Sequence, residues 1–412
     1  MHSEHVLFWA SIALLGYTYM GYPALMFVWA RLRPRPPRPS TPEPTVTVLV
    51  VAHNESTRIA GRLANLLSLD YPRGRLEIVV GSDGSTDGTV EVAREYEDAG
   101  VVVVAFPTRR GKSAVLNDLV PKARGEIVVF ADARQRFETT ALQALVAPFA
   151  DPRVGAVSGE LILTDNADGT AVGEGIRFYW RYEKFIRRSE AGVDSTVSAT
   201  GAIYAIRRDL FEPLPDETIL DDVLIPLRIW ARGYRALFEP GARAYDRAAA
   251  AAREELTRKV RTIAGQFRLF ADERWLLNPF QNRLWLQTVS HIGLRLLVPL
   301  FLVTALGANL FMLDDAFYRW ALATQLSFYA AALCGFVLRD AKRKIPLLTV
   351  PYTVCLLNWA TVLAFRRFVT GRQPATWEKA AAMPGRRELE NTRPSSRGGM
   401  SASGAPRETR SV

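Results

Sequence analysis

The stretch Leu76-Glu77-Ile78-Val79-Val80-Gly81-Ser82-Asp83-Gly84-Ser85-Thr86-Asp87-Gly88-Thr89 decides the fold. Apolar, β-forming residues from Leu76 to Gly81 run straight into a polar cluster of Ser, Asp, Gly and Thr. A helical pattern, Thr89–Asp98, follows at once. A strand that ends in turn chemistry and feeds a helix is half of a βα unit. The pattern recurs on both sides. Upstream, the strand pattern Val46–Ala52 precedes the helical pattern Arg58–Ser68; downstream, Val101–Phe106 precedes Lys112–Lys122, and Glu126–Ala131 and Gly155–Ser158 add further strands. Short β-rich runs alternating with helices predict an α/β domain over 45–270 with a mostly parallel, Rossmann-like sheet.

In such a sheet ligands bind beyond the carboxyl ends of the strands, so the polar residues there are the first candidates. The first strand ends in Ala52-His53-Asn54-Glu55, the second in the Asp83 cluster, and the fourth in Asp132-Ala133-Arg134. Taken singly, each is ordinary turn and helix-cap chemistry. Three in register point further, because strand-end carboxylates can hold ribose or base and a divalent cation bridging two phosphates. Neither G-x-x-x-x-G-K-[ST] nor G-x-G-x-x-G occurs at these turns, which counts against a nucleotide hydrolase and a dinucleotide dehydrogenase.

Outside this domain the 412 residues turn apolar. Val6 to Ala30 holds no charge and exceeds the roughly 20 residues a bilayer span needs. Its start, Met1-His2-Ser3-Glu4-His5, lacks the basic region of a cleaved signal, so an uncleaved anchor over 1–31 is expected. Arg31, Arg33, Arg35 and Arg38 follow within a proline-rich spacer, 32–44, and place the next domain on the cytoplasmic side. After an interfacial segment, 271–293, come three apolar runs within 294–368: Leu294–Leu313, Ala321–Leu338 and Ile345–Phe365; Trp285 to Arg295, with His291 and Arg295 among apolar residues, is expected to lie along the interface ahead of the first span. Asp314 and Asp315 belong outside, and Arg339 with Lys342 to Lys344 inside. Alternation would then put Arg366, Arg367 and Arg372 outside. The last run, with Pro346, Pro351 and Asn358, is therefore expected to be re-entrant or interfacial, and the Ser/Gly/Pro/Arg-rich tail, 369–412, a cytoplasmic and largely disordered one. The net charge of +10 gathers at membrane borders and in the tail, which argues for a bilayer and against nucleic acid. Cys334 and Cys355 both lie in apolar runs, so no disulfide framework is expected and the compartment is a reducing one.

The order and content of these motifs resemble the family 2 glycosyltransferases with a GT-A fold, and the flanking spans resemble their membrane-bound synthase branch, which makes cellulose, hyaluronan and poly-N-acetylglucosamine. The resemblance implies a multi-pass inner-membrane enzyme with a cytoplasmic catalytic domain. Its donor would be a UDP- or GDP-linked sugar and its acceptor a glycan or lipid-linked molecule. Asn54, Glu55 and Asp83 would contact the nucleotide, Asp83 at the base, and Lys112 would lie near the diphosphate. Asp132 would hold Mg²⁺ or Mn²⁺, but the second carboxylate of the family's Asp-x-Asp is Arg134 here. A guanidinium in that place can pair with phosphate oxygens instead.

Ser198-Ala199-Thr200-Gly201 resembles the acceptor-side segment, with Thr200, Gly201 and Asp221 lining it. Asp222, second of an acidic pair before a helical run, takes the position of the family's base. Inverting transfer needs a carboxylate that takes the acceptor hydroxyl's proton, and adjacent carboxylates raise each other's pKa. Arg258 and Arg261 keep the spacing of the synthases' Gln-x-x-Arg-Trp segment and are placed to neutralise the leaving diphosphate. Thr262 stands where that segment has Trp, which counts against processive polymerisation. The leading expectation is inverting transfer of a hexose from a nucleoside-diphosphate sugar to a membrane-associated or cell-envelope glycan or lipid acceptor. A processive polysaccharide synthase and a catalytically inactive scaffold or nucleotide-sugar-binding subunit are the alternatives.

Overall fold

The structure is a computed structural model and describes residues 3–37, 43–164, 171–247, 252–338 and 345–371. Arg38, the 339–344 basic loop and the tail from 372 lie outside the described residues. The described residues all fall within one unit, Met1–Thr376.

Helix α1 (Ser3–Gly16) passes through a π turn at Tyr17–Gly21 into α2 (Tyr22–Leu32). The domain that follows begins with β1 (Val46–Ala52), α3 (Ser56–Leu67), β2 (Leu76–Asp83), α4 (Thr89–Arg94), β3 (Val101–Phe106), α5 (Lys112–Leu119) and β4 (Ile127–Asp132). It continues through β5 (Arg136–Phe137), α6 (Ala141–Val146), β6 (Val154–Thr164), α7 (Ala171–Val193), β7 (Ile203–Arg207), α8 (Asp221–Ala231), β8 (Arg235–Arg247) and α9 (Ala252–Asp272). A short α10 (Trp285–Gln287) winds through a π segment into α11 (Leu294–Leu310), and α12 (Ala316–Val337) and α13 (Pro346–Val369) are the last elements of the described residues.

The eight strands form one sheet in the order β3-β2-β1-β4-β7-β6-β8-β5. β3, β2, β1 and β4 are parallel, as the alternation of strand and helix patterns predicts. β7 is antiparallel to both of its neighbours, β4 and β6, so the sheet is mixed but mostly parallel. Alternation of side chains along β1 supplies two cores. Val46, Val48 and Val50 pack with Ile59, Leu63 and Leu66 of α3, while Leu49 packs with Leu116 of α5, Phe130 and Trp230 on the opposite face. Because both faces are covered, the central strands read as continuous apolar runs. The strand expected at Gly155–Ser158 extends to Thr164, and β8, which pairs with it, was not foreseen.

Among the described residues four helices are long and apolar enough to cross a membrane: Ser3–Leu32, Trp285–Leu310, Ala316–Val337 and Leu347–Val369. Met20, Leu300, Val303, Trp320, Val337 and Leu347 expose large apolar side chains along them. Water disfavours such surfaces, and this is the pattern of a membrane protein. The segment Trp285 to Arg295 forms the start of the second of these helices, and Pro346–Phe365 lies within one unbroken helix despite Pro351.

Helix α7 joins the domain to the apolar helices. His291 places one ring nitrogen 2.8 Å from Glu190 and the other 3.0 Å from Glu183, Arg295 pairs with Glu183, and the Tyr22 hydroxyl donates to Glu190.

Candidate active site

The parallel strands end where the polar clusters begin, and the turns between strands and helices set the side chains. At the end of β2 the chain must reverse sharply. Gly84 does so at φ 60°, and a Cβ there would come within 2.4 Å of the Arg109 backbone. Asn54 also adopts a positive φ, 54°, which asparagine tolerates better than most residues. Its side-chain oxygen accepts the Thr86 N–H at 2.8 Å, and its own N–H donates to Ser85 Oγ at 3.1 Å. Buried Glu55 accepts from Arg58 at 2.9 Å, while its backbone N–H donates to Thr89 Oγ1 at 2.8 Å. These two residues thus tie the β1 turn to the β2 turn.

Asp83 is 4% exposed and accepts the backbone N–H groups of Arg110 (2.7 Å) and Gly111 (2.9 Å). The carboxylate therefore fixes the loop that delivers Lys112. The Lys112 ammonium lies 3.0 Å from Asp221 Oδ2 and 3.5 Å from Asp132 Oδ1. Burial works against its charge, but the two carboxylates outweigh this and raise its pKa. Asp221 also accepts from the buried Tyr204 hydroxyl at 3.0 Å. Burial and that same carboxylate push the phenol's pKa well up, so it remains a donor.

Asp222 follows Asp221 in the first turn of α8. Its Oδ2 accepts the Gly201 N–H at 2.8 Å, and its backbone carbonyl accepts the Ala199 N–H at 3.1 Å. Thr200 between them donates its N–H to Ser158 Oγ at 3.0 Å, which anchors the segment to β6. A Cβ on Gly201 would sit 3.1 Å from the Asp222 carboxylate, so glycine allows this close approach. Burial and the neighbouring Asp221 charge push the Asp222 pKa up to about 6, against the opposing pull of Lys112 and the Gly201 N–H. From α9, Arg261 joins the cluster; burial lowers its basicity, and Asp221, Asp222 and Asp132 counteract this. Arg258 lies one turn earlier on the same helix, where its carbonyl accepts from the Thr262 hydroxyl at 3.1 Å.

Lys112, Asp132, Asp221, Asp222, Gly201 and Arg261 thus converge, and Asp83 reaches them through the 110–112 loop. Arg134 turns sideways to Asp246 of β8, with its Nε 3.3 Å from the carboxylate, to which Gln135 also donates at 3.0 Å. Reading the sequence missed Tyr204, Ser158 and Asp246, since a lone Tyr, Ser or Asp in a strand carries no motif.

For a divalent cation the fit is partial but real. Among the described residues no three His, Cys, Asp or Glu side chains gather as a closed metal site. A cation held mainly by substrate phosphates needs only one or two protein carboxylates, and the Asp132 side chain, 35% exposed, can supply one.

Residues 47–214 match the glycosyl transferase family 2 model. The chain carries a family 2 glycosyltransferase domain. This domain is 30% identical over 233 residues to a β-monoglucosyldiacylglycerol synthase of Nostoc sp., covering 55% of this chain and 50% of that one. It is 28% identical over 200 residues to the poly-β-1,6-N-acetyl-D-glucosamine synthase of Staphylococcus aureus, covering 47% of this chain and 48% of that protein. The chain spans about half the length of the curated relatives it matches. Among solved structures, the mannosyltransferase PcManGT from Pyrobaculum calidifontis, in complex with GDP-Man and Mn²⁺, superposes with a TM-score of 0.68 at 26% identity. That match takes in 89% of this chain and 99% of the other, so the likeness extends beyond the glycosyltransferase domain into the apolar helices.

Proposed function

We propose that the chain transfers a sugar, with inversion, from a nucleoside-diphosphate sugar to a membrane-associated glycan or lipid acceptor at the cytoplasmic face. One observation carries this reading: Asp222 is a carboxylate of raised pKa, held by the Gly201 N–H and set in the field of the cations Lys112 and Arg261. In the reaction Asp222 takes the proton of the acceptor hydroxyl as that oxygen bonds to the anomeric carbon. The bond from that carbon to the diphosphate breaks, and its electron pair leaves with the diphosphate. Lys112 and Arg261, with Arg258 a turn away, supply fixed positive charge where the negative charge develops. Asp132 would hold a divalent cation, which when bound adds further neutralisation of the diphosphate. Supporting a membrane acceptor, α9 and α7 both pack on α13, so the helix that carries Arg261 lies against one of the apolar helices. GDP-mannose, the ligand of the mannosyltransferase complex, is the first donor to try.

The test is release of nucleoside diphosphate from UDP- and GDP-linked sugars by the detergent-solubilised chain. Release that Asp222→Asn abolishes supports the reading; no release from any donor, or release untouched by the substitution, sinks it. Removal of divalent cations by chelator lowers the rate and added Mn²⁺ restores it. Thr262 in place of Trp favours short products over the long chains of a processive synthase.

Three crossings fit the packing: Ser3 to the level of Tyr19, Leu294–Leu310 and Ala316–Val337. Helix α13 then lies in the inner interface, because its start meets α12 (Phe336 and Tyr352 rings 6.1 Å apart) and its end meets α9 (Phe368 stacked 5.9 Å from Phe267).

A further inference from the structure

Arg62 of α3 is 2% exposed and is one of the largest fully buried side chains in the protein. Its Nη1 donates to the Gln135 carbonyl at 2.9 Å and to Asn65 Oδ1 at 3.1 Å, and its guanidinium covers the Phe137 ring at 4.0 Å. Among the described residues, its Nε and Nη2 find no hydrogen-bond partner and no carboxylate lies within ion-pair distance. Burial lowers its pKa to about 9, and the carboxylate whose field opposes this is Asp132. It is therefore still a cation at neutral pH. A buried charge without a counter-ion is costly, and a core needing only to pack would be better served by an apolar side chain. Neighbouring Asn65 already does the mechanical work on the same loop. Its amide donates to the Phe137 carbonyl at 2.9 Å and its oxygen accepts the Phe137 N–H at 2.8 Å.

We infer that Arg62 is a positioning residue for the donor: a buried cation beneath the Asp132–Phe137 loop that lends positive potential to the nucleotide diphosphate above it. This rests on the proposed donor chemistry. Asn65 shapes the loop, while Arg62 charges it. Arg134, where the family has a second carboxylate, is drawn away to Asp246, so a fixed charge below the loop reaches the diphosphate without contacting it.

The test is binding of GDP and of UDP to the full-length chain in detergent, with melting temperature followed in parallel. Arg62→Gln keeps a donor for the Gln135 carbonyl but removes the charge. It is expected to weaken diphosphate binding on the order of tenfold, the effect of a unit charge roughly 10 Å away, with the acceptor KM unchanged. Arg62→Lys restores most of the affinity. Asn65→Ala lowers the melting temperature with a much smaller effect on binding. Equal binding by wild type and Arg62→Gln, or equal weakening by Arg62→Gln and Asn65→Ala, overturns the inference and leaves the proposed function standing. If Arg62→Gln does not fold, Arg62→Lys decides: near-native affinity supports the role, and a tenfold loss despite the retained charge refutes it. A wild-type chain that binds neither nucleotide sinks the proposed function and this inference together.

Discussion

At the residue scale the acid pair carries the most specific expectation. Asp222 must be ionised to act as a base, so the rate should rise with pH through about 6 and level off above. Asp221→Asn removes the like charge that raises this pKa, and the rising limb should move to lower pH in a pH–rate profile. Asp222→Asn should cost on the order of 10²- to 10⁴-fold in rate. Stability runs the other way. The folded protein holds the Asp222 proton more tightly than the unfolded chain does, so its contribution is full below about 4 and is lost as pH rises through about 6. The melting temperature of Asp222→Asn relative to wild type should therefore be more favourable at pH 8 than at pH 4. Gly201→Ala brings a methyl within 3.1 Å of the same carboxylate and should lower kcat while leaving the fold intact, as circular dichroism would verify. That Asp222 and Gly201 lie together was legible in the sequence because each sits in a motif. The placements of Arg62 and Asp246 were not, since they come from burial and from strands or helices far apart in the chain.

At the scale of elements, α9 is the piece that brings Arg261 into the field of the acid pair. Gly265 packs it against Leu220, the residue just before the acid pair, where a Cβ would approach within 2.7 Å. Gly265→Val should push α9 outward, carry Arg261 away from Asp221 and Asp222, and raise the KM for the donor more than it lowers the melting temperature. Donor titrations alongside thermal melts would show the split. A wild-type KM would mean that α9 tolerates displacement and that Arg261 has no part in binding. The parallel strands were readable because central strands buried on both faces leave unbroken apolar runs. β8 was not: its Arg235, Glu239, Pro240, Arg243 and Asp246 break any run or alternation, and its place is fixed by long-range pairing with β6.

For the whole molecule, the question is how an odd number of crossings after the catalytic domain can be avoided. If the rod Ser3–Leu32 starts outside, His5 and Trp9 mark that side, and Tyr318 of α12 joins them there, with its ring 5.4 Å from His5 and its hydroxyl 3.2 Å from the Trp9 indole nitrogen. Helix α12 then returns inward. Were α13 to cross again, its last turn would leave the catalytic domain behind, yet Phe365 and Phe368 lie against Phe267 of α9. Ala360 and Ala364 are fully buried against Val260 and Ala264 of that same helix. Small residues at such a contact let two helices approach closely. On the proposed topology both ends of α13 lie on the side of the catalytic domain, which would also keep Arg366 and Arg367 inside, as the basic-side rule requires. Single cysteines introduced into a Cys334→Ser/Cys355→Ser background make this measurable. An Asp314→Cys variant should react with an impermeant maleimide added to intact cells, whereas Arg366→Cys should react only after the membrane is opened. Labelling of Arg366→Cys from outside would show that α13 crosses the bilayer, and the packing of its last turn on α9 would have to be abandoned with it.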